Sequence, residues 1–206
     1  MVGIRARLLP PWAKDYFRSA RLKGPAFHEL GNVTVVAVGA TAITSMEQQV
    51  SSEAIGNRVS SVIRHVRDEG GYACSVCGQA VAAVFRGSQE PRDALGRAWT
   101  AAKNIVTQIQ DGLPSPVVGI ACGPAHDGLV GTADNLLYMI DGHAIALAMR
   151  LLGANQGYGT KILTVGDELP SEIDGNLSRW LDVIRLKGTN GPEKLHEIMT
   201  GDIASA

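Results

Sequence analysis

The sequence predicts an α+β or α/β sandwich, with helices packed on a mixed sheet. Three observations carry that expectation. Short β-branched apolar runs alternate with longer segments whose apolar residues recur at helical spacing. A hairpin, "GGYACSVCGQAVAAVF" at 70–85, interrupts the alternation early. The 206 residues are 45% hydrophobic and 19% charged, a globular composition with enough chain for one ordinary core.

The elements follow in order. Residues 10–24, "PPWAKDYFRSARLKG", read as a helix that stops at Lys23-Gly24 ahead of Pro25. "NVTVVAVGA", 32–40, is β-branched and too short for a buried helix, so it is assigned as a strand. Thr44 or Ser45 is placed to cap a helix from about Met46. In it Val59, Val62, Ile63 and Val66 form one buried face, and Gly70-Gly71 ends it. The hairpin 72–85 comes next. A second helix runs from Pro91 to about Gln110, turning Ala94, Ala98, Ala101, Ala102, Ile105 and Ile109 to the core. "SPVVGIACG" is a strand and 127–140 gives another. Gly142–Gly153 is a helix, and "KILTV" a strand. "WLDVIRLKG" and "EKLHEIM" are two strands joined by the turn Thr189-Asn190-Gly191-Pro192. No linker, repeat or low-complexity block divides the chain. It is expected to hold a leader at 1–30, one domain at 31–200 and a tail at 201–206.

Charge excludes some functions. The net charge of −1 gives no general attraction to nucleic acid or a membrane surface. Arg5, Arg7, Lys14, Arg18, Arg21 and Lys23 face only Asp15 in the first 23 residues, and this basic leader is read as a solvated helix. No run approaches the roughly 20 apolar residues of a membrane span, and the N-terminus lacks the apolar core of a secretory signal. Three cysteines do not make a disulfide framework, which fits a reducing, cytoplasmic setting.

Several residues invite a chemical reading. Cys74-x-x-Cys77 is the spacing of a redox pair or half a zinc site, with Cys122, His126 or His143 as further ligands. The plainer reading makes Cys74 a small hydrophobe on a strand and Cys77 a turn residue. Gly119, Gly123, Gly128 and Gly131 lack the Lys-Ser/Thr of a phosphate loop and are read as structural. His65 is read as solvated.

"VTVVAVGATAITSM", "GGYACSVCGQAVAAVF", "VVGIACGPAHDGLVGT", "YMIDGHAIALAMRLLG" and "IRLKGTNGPEKLHEIM", in that order across 32–199, resemble the class III adenylyl and guanylyl cyclase homology domain. The resemblance implies an α+β, ferredoxin-like fold: a mixed, mostly antiparallel sheet packed by helices. It also implies a reaction. A 3′-hydroxyl attacks the α-phosphate of a nucleoside triphosphate at a dimer interface, two divalent metals on two carboxylates assist, and pyrophosphate leaves.

Carried over residue by residue, that machinery is largely missing. The first metal carboxylate falls on Gly39, and no Asp or Glu lies between residues 30 and 46. The second falls on Gln79, isosteric with Glu but uncharged. The base-reading Lys falls on Ser75, its partner on His143, and the ribose-orienting Asn on Ala146. Only the phosphate-binding Arg has a match, Arg150. His143 could still contact a base, and Lys187 could reach phosphate, though a solvated lysine is the plainer reading. A hard cation prefers anionic oxygen, so the resemblance points to a catalytically degenerate domain with no metal cofactor. Its role would be regulatory or binding, as a homodimer or a heterodimer with a cyclase-like signalling partner in cyclic nucleotide signalling. Two alternatives stay open. One is an active cyclase whose Mg²⁺ or Mn²⁺ ligands have moved to Asp127, Asp134 or Asp141. The other is a sensor that binds nucleotide without chemistry.

Overall fold

The computed structural model describes residues 26–39, 51–77, 80–87, 91–132, 135–167, 169, 171–173, 176–186, 189 and 191–201. In chain order the elements are β1 (Ala26–Gly39), α1 (Ser52–Asp68), β2 (Tyr72–Cys77), β3 (Ala80–Phe85), α2 (Pro91–Gln108), β4 (Val117–Thr132), β5 (Asn135–Gly142), α3 (His143–Tyr158), β6 (Ile162–Val165), β7 (Glu172–Ile173), β8 (Asn176–Ile184) and β9 (Glu193–Ile198). They form an α+β fold around one sheet. Its strand order is β2-β3-β1-β4-β6-β9-β8-β7, with β5 attached to β4. The β4–β6 ladder is parallel; the other ladders are antiparallel. The expected mixed, mostly antiparallel sheet is therefore present.

Alternation along β1 splits the core in two, because successive side chains leave a strand on opposite faces. Val36 and Val38 meet α1 and α2 through Val62, Val66, Ala98, Trp99 and Ile105. Val33, Val35 and Ala37 meet α3 through Ala144, Leu147, Ala148 and Leu151. Each such Val, Leu or Ile contributes about 1.5–3 kcal/mol by leaving water.

Two polar devices fasten the helices. On α1, the Arg58 side chain is fully buried; it grips both carboxylate oxygens of Asp111, Nε to Oδ2 at 2.7 Å, and donates to the Pro114 carbonyl. This bidentate pair ties α1 to the connection between α2 and β4, and it holds the Asp111 carboxyl below its ordinary pKa. On the other face, α3 lies directly on β4. A Cβ added to Gly119 would sit 2.2 Å from the Ala148 carbonyl oxygen, so only glycine admits the helix backbone there. The buried Asn155 then donates to the Val118 carbonyl at 3.0 Å and accepts from Thr160 Oγ1 at 2.9 Å.

The structure departs from the expected elements in several places. β1 begins at Ala26, six residues ahead of the expected 32, and accommodates the extra length through a bulge at Glu29/Gly31 where Gly31 has φ 69°. α1 starts at Ser52, with Ser51 Oγ accepting from the Ala54 amide, instead of near Met46; Thr44, Ser45 and Met46 lie outside the described residues, as does the helix expected at 10–24. Ile63 is 38% exposed and not part of the buried face, because that face is centred on Arg58, Val62 and Val66 and Ile63 stands about 140° round the helix from Arg58. β4 is a single strand of 16 residues where two shorter strands were expected, and β5 begins only at Asn135. α3 runs on to Tyr158, past Gly153. The short strand β7 was not foreseen. Among the described residues no helix is long and apolar enough to cross a membrane.

Candidate functional site

Of the positions that the resemblance singles out, Gly39, His143, Ala146 and Arg150 are fully described, and they lie on the α3 side of the sheet. β1 ends at Gly39, between Ala80 of β3 and Val117 of β4. A Cβ there would lie 3.3 Å from Val117 Cγ2 and 3.4 Å from Leu152 Cδ1. Any side chain leaving this strand end therefore enters an apolar corner between β4 and α3. Gly78 and Gln79, in the turn between β2 and β3, lie outside the described residues. Ser75 pairs with Ala82 in the hairpin, but its side chain is not among those described. Lys187 is likewise outside them.

α3 carries the other three candidates on its outer side. Gly142 precedes the helix with φ 135°, and a Cβ on it would come within 2.8 Å of the Pro124 carbonyl oxygen and Ala125 Cα, so β4 and the helix start touch backbone to backbone. His143 and Ala146 are exposed, one turn apart, and Arg150 follows one turn later, half-buried. Arg150 has no ion-pair partner among the described residues. The helix thus presents one cation on a surface of small side chains.

The aspartates considered as relocated ligands are engaged elsewhere or outside the description. Asp127 on β4 is 1% exposed. Its Oδ2 accepts from the Tyr138 hydroxyl at 2.8 Å, and its Oδ1 lies 3.4 Å from His28 Nδ1. Tyr138 in turn meets the Tyr72 ring edge-on at 6.4 Å. The cluster pins the β4–β5 hairpin to β1 and β2. Sequence reasoning named Asp127 but missed Tyr138 and His28; the register that sets His28 opposite Asp127 cannot be read from spacing. Asp141 is exposed and accepts from the Gly142 amide at 2.8 Å. Asp134 lies outside the described residues.

The cysteines follow the plainer reading where they are described. Cys74 sits at a bulge in β2, packs in the core on the α3 face and donates to the Tyr72 carbonyl at 3.1 Å. Burial pushes its thiol far above the ordinary range, the opposite of a reactive thiolate. Cys122 lies beside Thr34 Oγ1 at 3.3 Å. Cys77 is the last residue of β2, and not in a turn; its side chain is not described.

A pair of divalent cations needs several anionic oxygens at one point. Among the described residues no three His, Cys, Asp or Glu side chains converge in that way. The end of β1 offers no donor, and Asp127 lies opposite His28 near the other end of β1, where Tyr138 and His28 hold it. The donor set described here does not fit the two-metal centre that the resemblance implies.

With that geometry in hand, the comparisons place the fold. No protein-family model and no curated protein matches the sequence. Solved structures do match in three dimensions. The adenylyl cyclase CyaB from P. aeruginosa superposes with a TM-score of 0.63 at 18% identity, over 86% of this chain and 98% of that one. The guanylate cyclase domain of a rhodopsin-linked enzyme from Catenaria anguillulae gives 0.61 at 18% identity, over 84% and 98%. The guanylyl cyclase Cya2 gives 0.57 at 16% identity, over 88% and 97%. The chain has the fold of the adenylyl and guanylyl cyclase catalytic domains, at nearly their full length.

Proposed function

We propose that this chain is a cyclase-fold domain that has given up catalysis and works by association, through the α3 face, with a second copy or with another cyclase-like signalling protein. The observation that carries the reading is Gly39. The strand end that would present a metal carboxylate has no side chain and opens onto Val117 and Leu152. An aspartate there would need to hold its charge against two apolar groups, which costs several kcal/mol unless it is paired. A triphosphate without metal clamps would also lose the several kcal/mol that Lewis-acid polarisation supplies, and each 1.36 kcal/mol is a factor of ten in rate. The same face carries the exposed Ala146 and the unbulky outer side of α3, a surface suited to close approach by a partner. A guanylyl cyclase domain from Blastocladiella emersonii with the same fold is described as dimeric, which supports association of this kind.

The test is direct. Purified protein given ATP or GTP with Mn²⁺ is expected to yield no cyclic nucleotide above background. Sustained, metal-dependent production would overturn the reading.

Arg150 favours a second reading, a domain that binds nucleotide without transforming it. A half-buried guanidinium lacking an ion pair among the described residues is a ready phosphate contact. Calorimetry with ATP, GTP and cyclic nucleotides would register heat that Arg150→Ala removes; silence with all of them leaves association as the function.

A further inference from the structure

At the far end of the sheet from Gly39, β8 is an open edge. β7 pairs only with Asn176 and Leu177, so among the described residues nothing pairs with the outer side of β8 from 179 to 184. The backbone hydrogen bonds show which groups face outward. The Leu177 carbonyl accepts from the Met199 amide, toward β9, and the Ser178 amide donates to Ser171, on the outer side. Alternation then turns Arg179 inward and the amide and carbonyl of Trp180 outward. A bulge between Trp180 and Asp182 adds one residue, so the next outward position is Val183.

The bulge also decides the side chains. Trp180 stands opposite His196 and Val183 opposite Lys194, positions of β9 that share the face of Ile198 and the α1/α2 core. Without the extra residue, positions three apart would lie on opposite faces. With it, Trp180 and Val183 stand side by side at the edge, 60% and 50% exposed. Among the described residues no other strand carries two exposed large hydrophobic side chains.

We propose that β8 is a self-association edge, which pairs antiparallel with β8 of a second copy about a two-fold axis. The register follows from the outward groups. Trp180 faces Val183 of the partner subunit, and Val183 faces Trp180 of the partner subunit, each pair exchanging both backbone hydrogen bonds. Both apolar side chains meet on the same face, twice per dimer, and an isologous contact requires that self-complementarity. On the opposite face Arg179 pairs with Glu197 of its own chain at 2.7 Å, and Asp182 accepts from the Tyr158 hydroxyl of its own chain. The register sets this Arg179 diagonally from Asp182 of the partner subunit, so opposite charges lie side by side across the contact without clashing. In the separate chain Asp182 Oδ1 accepts the Val183 amide at 2.7 Å. Pairing exchanges that bond for a main-chain one, and the contact is small against the roughly 1,200–2,000 Å² of stable interfaces. Association through this edge is therefore weak and concentration-dependent. It is separate from the α3 face, so the two together would join dimers into larger assemblies.

Sedimentation velocity over about a hundredfold range of concentration tests this. The wild-type chain is expected to show an association step that Trp180→Lys and Val183→Lys each weaken by about tenfold or more, from losing both cross-strand pairs. Ala146→Arg, on α3, is expected to leave that step in place. Unchanged melting curves show that the variants fold. Trp180 emission, taken as the difference between wild type and Trp180→Phe because Trp99 is buried, should shift to the blue as concentration rises. A wild-type chain with no such step overturns the proposal, as does a step that survives both lysine variants or disappears in Ala146→Arg. Blue-shifted Trp180 emission at the lowest concentration would place another part of the chain over the edge and overturn it too.

Discussion

The two faces of the sheet treat their arginines in opposite ways. On the α1/α2 face, Arg58 is sealed from water and every hydrogen bond it makes is to its own chain. On the α3 face, Arg150 is half-buried and has no ion pair among the described residues. A buried charge is tolerated only when it is paired and hydrogen-bonded, so Arg58 belongs to the architecture. An unpaired charge on a surface of small residues contributes little to the fold and is available to something outside it. The difference separates a guanidinium finished within the fold, on the α1/α2 side, from one that the proposed function assigns to an outside contact.

The largest expected effect falls on the finished side. Asp111→Ala leaves the Arg58 guanidinium buried without its counter-charge, and is expected to cost about 3–5 kcal/mol, seen as a lowered denaturant midpoint. Acid should reproduce part of it. Because Arg58 depresses the Asp111 pKa, the pair's contribution is complete above the ordinary carboxylate value near 4. It is lost as pH falls through the lower folded value. Wild type should lose stability in that window more steeply than Asp111→Asn; equal slopes would dissolve the contrast between the faces.

Gly119→Ala comes next. The added methyl would collide with the backbone of α3 at Ala148 and Leu152, and is expected to cost about 1–3 kcal/mol, with the helix displaced from β4. Measured stability close to wild type would mean that α3 is not seated as described. The smallest effect is expected at Arg150. Arg150→Ala should change stability by no more than about 0.5 kcal/mol, while weakening whatever the α3 face binds. A loss of several kcal/mol would move Arg150 to the architectural side and sharpen the comparison against the proposed role.

Legibility from sequence followed the range of the interactions. The core face of α2 was readable because Ala94, Ala98, Ala101, Ala102 and Ile105 repeat at helical spacing and all are buried. The β2–β3 hairpin and β6 were readable as apolar runs between breakers. The block order carried the fold. Arg58 was not readable, since its partner lies 53 positions away on another element. The length of β4 was hidden by Gly123-Pro124, which reads as a stop. In the structure Pro124 stands in the gap after β6 pairing ends at Ile120 and before β5 pairing begins at Ala125, where β4 has β1 as its neighbour. The candidate site was legible as substitutions at 39 and 146 beside one matching position, 150. Its apolar corner was not, because Val117 and Leu152 meet Gly39 only through the fold.

β4 has a consequence for how the chain assembles. It alone borders β1 on one side and both β5 and β6 on the other. During synthesis β1, α1, the hairpin and α2 can cover one another on one face, but Val33, Val35 and Ala37 on the other face of β1 stay bare until β4 and then α3 emerge to join them. Pairing between segments so distant in sequence is slow, on the order of milliseconds to seconds. Over that interval the nascent first half is the stage most exposed to aggregation and most in need of a chaperone.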